Sequence, residues 1–131
     1  MLLFRAPTQD ILFSLEHVAR ASGLPDWDAA LSRELAGHFA TFAQNEIAPI
    51  DETGDQQGCA LADGRVTMPT GFATAYKAYC DQWWPGLTAP EEYSGQDLNT
   101  VALAITSEIF SGACHSLQMV TGLVPGATRT L

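Results

Sequence analysis

The stretch from Trp83 to Gly122, WWPGLTAPEEYSGQDLNTVALAITSEIFSGACHSLQMVTG, decides the fold. Its first part, Pro85 to Asp97, is punctuated by Pro and Gly and reads as a tight loop. Its second part, Leu98 to Val120, reads as the longest apolar helix of the chain. Val101, Ile105, Ile109, Leu117 and Val120 keep near-helical spacing. The other faces carry small residues: Ala102, Ala104, Ser107, Ser111, Gly112, Ala113, Cys114 and Ser116. A helix that is apolar or small almost all round is buried on several sides, so this one belongs at the centre of a bundle. Small side chains also let a ligand come close. A helix covered only by other helices fills its faces with Leu, Ile and Phe. From Ser111 to Gly122, small residues instead alternate with Gln118 and Met119. Met adapts to an irregular apolar partner, and Gln118 is costly to bury unless its amide is hydrogen-bonded. One face is therefore a candidate pocket wall.

Working back from this stretch, a helix is expected from Pro69 to Trp83, with Phe72, Ala75, Tyr76, Tyr79, Cys80 and Trp83 on its apolar face and Pro in its first turn. Trp83 and Trp84 point to different sides of the chain. Core packing is their expected role, with the capping of a cavity or an interface as the alternative. Pro49 to Met68 reads as the longest irregular segment. Its acidic run, Asp51-Glu52-Thr53-Gly54-Asp55, invites a calcium reading, but no Glu closes an EF-hand loop, and a solvated connection fits better. Before it, a helix is expected from an N-cap at Asp26 to Ile47, stopped by Pro49. Trp27, Leu31, Leu35, Phe39, Phe42, Ala43 and Ile47 form its buried stripe. The first helix opens at Pro7-Thr8, with Thr8 as N-cap and a stripe of Ile11, Leu12, Leu15, Val18 and Ala19. It ends at Gly23 and Pro25. His17 and His38 lack partners at metal-ligand spacing and read as core-edge or exposed residues. After Gly122, a fifth helix starts at Val124-Pro125 and runs through Leu131. Period-two alternation is almost absent, so no sheet is expected. The fold class is all-α, a bundle of about five helices.

Composition narrows the function. The chain has 131 residues, one domain by length, and is 47% hydrophobic. Its net charge is −9, with six Lys and Arg. That argues against nucleic acid and against anionic membrane surfaces, and disfavours this chain as the main binder of a polyphosphate tail. The three cysteines, Cys59, Cys80 and Cys114, have no CxxC spacing and fit a reducing compartment. Met1-Leu2-Leu3-Phe4 is too short for a signal-peptide core. A cytoplasmic location is expected, with no metal. GxGxxG, GxxxxGK[ST] and GxSxG are all missing.

The segment Pro90-Glu91-Glu92-Tyr93-Ser94-Gly95-Gln96 resembles the P-E-E-Y-G-G-Q loop of the flavin-dependent acyl-CoA dehydrogenases. The helix after it, with Ser107-Glu108 in its middle and Gly126-Ala127 following, is similar to that family's pocket-side helix. Upstream, Gly54, Asp55, Gly58, Gly64, Val66, Pro69, Gly71, Phe72, Ala75 and Tyr76 fit the family spacing between its second and third helices. Phe4-Arg5-Ala6-Pro7, Asp10, Phe13 and Leu15 resemble an extra N-terminal segment of a subset that includes the methylthiopropionyl-CoA dehydrogenases. The match departs at Ser94, where the family has Gly. A Gly at positive φ there makes Ser mildly strained.

The resemblance implies the N-terminal helical domain of an enzyme that oxidises an acyl-CoA thioester to the trans-2-enoyl-CoA. In such an enzyme a carboxylate removes the α-proton and the β-hydrogen leaves as hydride to FAD. It also implies that the catalytic Glu and most flavin contacts belong to a middle β domain and a C-terminal helical domain, neither of which is in residues 1–131. No catalytic residue is expected here. Glu108 matches a structural position. By resemblance the chain contributes one wall of the acyl pocket. The candidate wall residues are Cys114, Leu117, Gln118, Met119, Thr121 and Gly122, each with ordinary core packing as the alternative. The expected partners are the acyl-CoA and the remaining dehydrogenase domains or a complementary subunit, in a homo- or hetero-oligomer. The chain is either a piece of a longer enzyme or a small subunit. The competing class is a non-catalytic helical interaction module derived from the same fold.

Overall fold

The structure, a computed structural model, describes residues 3–130 apart from the side chain of Arg129. Its α-helical segments are α1 (Thr8–Phe13), α2 (Ala29–Phe42), α3 (Asp51–Gln57), α4 (Phe72–Asp81), α5 (Thr100–Ala113), α6 (His115–Thr121) and α7 (Val124–Thr130). Several are joined end to end. α1 continues in a π-helical turn, Ser14–Val18. α2 runs through a π turn, Ala43–Ile47, and a 3₁₀ turn, Ala48–Ile50, into α3. Only Cys114 separates α5 from α6. The segments thus make about five helical rods, the all-α bundle anticipated from the sequence. Met1, Leu2 and the expected helix end at Leu131 lie outside the described residues.

The boundaries depart from the sequence reading for identifiable reasons. Thr8 lies inside α1, and Pro7 occupies its N-cap without a side-chain hydrogen bond. Ile11 is buried and Leu12 and Leu15 are half-buried, but Val18 is 73% exposed. The π turn adds a residue to the repeat, so the stripe drifts off the core. Asp28, not Asp26, caps α2, its carboxylate accepting from the backbone N–H of Ala30 and Leu31 at 2.8 and 2.9 Å. The buried stripe therefore begins at Leu35, and Leu31 is exposed. Pro49 does not end the rod. It sits early in the 3₁₀ turn, where its missing N–H costs nothing, and Asp51 and Glu52 fall in the first turn of α3, where carboxylates are favourable.

A hairpin follows that the alternation pattern did not reveal. β1 (Ala60–Ala62) pairs antiparallel with β2 (Arg65–Thr67), Leu61 opposite Val66. Asp63 and Gly64, at φ 50° and 73°, form its turn, the Asp-Gly chemistry of a two-residue hairpin. Strands of three residues are too short for a period of two to stand out. α4 begins at Phe72 rather than Pro69 and ends at Asp81. Trp83, expected on its apolar face, is 62% exposed and left-handed at φ 64°. It takes the terminating position past the C-cap that is ordinarily Gly, at a cost of about 1 kcal/mol.

The core lies where α2 packs on α5. Phe39, Ile47, Ile105, Ile109 and Leu117 are its largest buried side chains. Phe39 meets Trp84 edge-on at 4.7 Å between centroids and Phe110 at 5.9 Å. Tyr79 stacks obliquely on Phe110 at 5.4 Å. Burial, followed by the Cys80 and Tyr76 groups, pushes the Tyr79 hydroxyl up to about 12. The loop from Pro85 to Asp97 is densely bonded across its base: Gln96 N to Gly86 O at 2.9 Å, Asp97 N to Ala89 O at 2.9 Å and Leu98 N to Leu87 O at 3.0 Å. Ser94 has φ 62°, so the strain anticipated for a non-Gly residue there is present. Gly95 has no room for a side chain: a Cβ would lie 1.9 Å from the Ala89 carbonyl oxygen.

Gly95→Ala is therefore expected to lower stability by roughly 2–3 kcal/mol, because backbone must move. Gly37→Ala, in the open middle of α2 with nothing within 4 Å, should raise it by about 1 kcal/mol. Denaturant midpoints check both. Tyr79 sets a pH dependence. Below the free tyrosine value of 10.0 the group is neutral folded and unfolded. Between that value and about 12 only the unfolded chain ionises, so stability falls as pH rises, by on the order of 2 kcal/mol. Chemical denaturation from pH 9 to 12 should show a decline that is shallower in Tyr79→Phe.

Candidate functional site

Successive turns of α5 place Leu103, Thr106, Ser107 and Phe110, at i, i+3, i+4 and i+7, on one face. Phe110 on that face packs on Phe39 and Tyr79, and the rest of it borders open space. The face closes a cavity of about 60 Å³ together with Phe39 of α2, Tyr79 of α4, Trp84 and Leu87 of the loop, Gln118, Thr121 and Gly122 of α6 and its end, and Pro125 of α7. The volume equals about two water molecules. No Asp, Glu, Lys, Arg or His lines it. The interior is aromatic and aliphatic, with a few hydroxyls and one amide.

The polar atoms differ in how they are satisfied. The Thr106 hydroxyl donates back to the carbonyls of Ala102 and Leu103, at 3.1 and 3.2 Å. The Thr121 hydroxyl donates to the Gln118 carbonyl at 3.2 Å. The Gln118 side chain is half-buried and makes no side-chain hydrogen bond to protein among the described residues, so its amide stays in contact with solvent. It lies against Gly122, where an added Cβ would be 2.9 Å from its Nε2.

The expected single helix from Leu98 to Val120 is in fact broken. Cys114 is extended, φ −163° and ψ 95°, and α6 starts anew after it. The break resets the helical phase, so the face of α5 does not carry through. Gln118, Thr121 and Gly122, at i, i+3 and i+4, share the cavity face. Leu117 is 2% exposed and packs in the core. Cys114 is buried in the break, its sulfur 3.4 Å from the Ser116 hydroxyl. Burial raises its thiol, partly opposed by the Ser116 hydroxyl and Leu117 N–H, so it stays protonated and inert. Met119 is 61% exposed and points outward with Val120, next to exposed Leu123. Glu108 is exposed and borders a groove beside Ile11 and Leu15, not this cavity. The sequence reading carried the capping of a cavity by the Trp pair as an alternative, and Trp84 lines this one; it did not single out Tyr79, Phe110 or Pro125 as wall residues. Adjacent Trp residues after a helix end were the available signal for Trp84. The others depend on tertiary placement.

The lining of this cavity does not fit a dinucleotide cofactor. The cavity of about 60 Å³ is far too small for a flavin ring system, and its walls hold no cation for phosphate. Among the described residues no group of three or more His, Cys, Asp or Glu could hold a metal. No helix among them is long and apolar enough to cross a membrane.

Comparison with known proteins agrees with this architecture. The pattern described as "Acyl-CoA dehydrogenase, N-terminal domain" matches residues 31–128, from α2 into α7. A 3-methylmercaptopropionyl-CoA dehydrogenase from Ruegeria pomeroyi is 33% identical over 136 residues. That similarity covers 99% of this chain and 23% of the relative, so the chain spans about a quarter of the relative's length. The chain belongs to the acyl-CoA dehydrogenase family, and its residues correspond to that family's N-terminal domain.

Proposed function

We propose that this chain forms one wall of the acyl pocket in an FAD-dependent enzyme that introduces an α,β double bond into an acyl-CoA thioester. The observation that carries the reading is the uncharged cavity between α5, α6 and Trp84, with the half-buried Gln118 amide at its side. An acyl tail is apolar and needs a dry, uncharged wall. Its thioester end needs polar groups nearby. Gln118, Thr121 and Gly122 form the wall; Leu117 and Cys114 back it from the core. Met119, outward on α6, faces the rest of the enzyme.

FAD supplies the hydride acceptor in that assembly, and it is held by other parts of the enzyme. Those parts are a middle β domain and a C-terminal helical domain carrying the catalytic Glu, in the same polypeptide or in a partner subunit. The complete enzyme is cytoplasmic and oligomeric. The relative's thioether acyl-CoA makes short acyl chains the first substrates to try. The net charge of −9 supports placing the CoA phosphates elsewhere.

The test joins this chain to the remaining dehydrogenase domains and adds saturated acyl-CoA thioesters of increasing length without oxygen. The flavin absorbance of the assembly should bleach with at least one of them, while the 131-residue chain alone elutes colourless. An FAD-loaded assembly that no acyl-CoA bleaches overturns the reading. Met119→Trp probes the outward face. Because the side chain is exposed, the chain's own stability should change by less than about 0.5 kcal/mol, while the assembled enzyme shifts its preference toward shorter acyl chains. Unchanged chain-length preference removes Met119 from the pocket.

A further inference from the structure

α4 ends at Asp81, and the chain must turn sharply to bring the next residues back over the core. The turn is made by Trp83 in the left-handed region, φ 64° and ψ 17°. A bulky residue adopts that conformation only where its surroundings impose it. Trp83 N–H donates to the Cys80 carbonyl at 2.9 Å, ending the helix. The Trp83 carbonyl accepts twice: from Gly86 N–H at 3.2 Å and from the Gln96 side-chain Nε2 at 3.1 Å. The second donor arrives from the far end of the loop. The Gln96 backbone N–H also donates to the Gly86 carbonyl at 2.9 Å, so one residue grips both sides of the corner.

The corner determines where Trp84 goes. With Trp83 left-handed, the Trp84 ring stands edge-on to Phe39 at 4.7 Å and 6.1 Å from Phe42. Its indole N–H donates to Gln82 Oε1 at 3.2 Å, and its ring walls the cavity. With Trp83 in the right-handed region the chain would leave the end of α4 in another direction, and this corner would no longer hold Trp84 against Phe39. We propose that Gln96 is a positioning residue of the acyl pocket: by donating to the Trp83 carbonyl it holds the left-handed corner that keeps Trp84 as a pocket wall. The proposal rests on the reading of this cavity as part of the acyl pocket. Gln96 itself does not line the cavity, so its effect passes through Trp84.

The test uses the assembled dehydrogenase with Gln96→Leu, Trp83→Gly and the double variant. Leu keeps the bulk of Gln96 and removes the donor. Gly at 83 makes the left-handed conformation free, so the donor is no longer needed. In the Gln96→Leu enzyme KM for the preferred acyl-CoA should rise about tenfold with kcat within about twofold, and discrimination between chain lengths should flatten. Trp83→Gly should keep the wild-type profile, and the double variant should match it. Thermal midpoints make a second, activity-independent cycle: Gln96→Leu should lower Tm by roughly 5 °C in the Trp83→Gly background, where the corner stays and the hydrogen bond is lost outright, and by about 2 °C in the native background, where the corner relaxes out of its strained conformation. Equal Tm losses in both backgrounds overturn the clamp. A non-additive Tm cycle with an unchanged KM profile overturns the positioning role. A wild-type assembly that oxidises no acyl-CoA overturns the pocket reading and with it the positioning role, and the Tm cycle then separates a real clamp from none.

Discussion

Phe39 is the ring on which the bundle closes. It sits near the C-terminal end of α2 with 1% of its surface exposed. It meets Phe42 on its own helix, Phe110 from α5 and Trp84 from the loop after α4. Each partner comes from a different region of the chain. A bundle with a modest core depends on such large aromatic contacts, because each buries much area and fixes an orientation. The edge-on approach of Trp84 also leaves the cavity beside it, since a ring standing on edge cannot fill the space along its face. Packing and pocket are thus one arrangement.

That arrangement is bounded by a loop that concentrates backbone strain. Trp83, Ser94 and Asp97 all have positive φ, each a conformation that disfavours a side chain. Gly95 is pressed against Ala89, and the cross-loop hydrogen bonds to Gly86, Leu87 and Ala89 hold the base shut. Asn99 then anchors the loop's exit. Its side chain accepts from Ala102 N–H at 3.1 Å to cap α5 and donates to the Asp26 carbonyl at 2.7 Å. The capped start of α5 is tied to the segment leading into α2, so the two core helices are registered at one end by a single side chain.

Much of this was legible in the sequence. The small-residue helix after the Pro- and Gly-rich loop is the central element, and Phe39, Ile47, Ile105 and Ile109 are core as their spacing requires. Three things were not legible. The π turns at Ser14–Val18 and Ala43–Ile47 have no compositional mark, and each shifts the helical phase that a stripe is read from. The break at Cys114 follows Ser111-Gly112, a turn signal that the apolar spacing on either side outweighed. The hairpin at Ala60–Thr67 has a recognisable Asp-Gly turn, but flanks too short to alternate. At the candidate site, Gln118, Thr121 and Gly122 were named from the resemblance and from the composition of their segment, and they border the cavity. Trp84 and Tyr79 reach the cavity only through tertiary packing, which spacing along the chain cannot express.

The break at Cys114 also gives α6 its two characters. A continuous helix would have carried the apolar stripe of α5 straight on. Restarting after an extended residue rotates α6 so that Leu117 fills the core, Gln118 and Thr121 reach the cavity, and Met119 and Val120 face outward. The same short helix therefore contributes to the interior and leaves an apolar outer side. On the proposed function this division has a purpose. An acyl chain must be met by protein on more than one side, and one helical domain can offer only a wall. A helix that is polar-sided toward its own cavity and apolar toward the outside suits a position between two layers of a larger enzyme, where the outer face is covered only in the assembly. The half-buried amide of Gln118 fits the same logic. A side chain with no partner in its own chain is stable at half-burial because water can reach it, and it is left free to bond a group that arrives with the substrate.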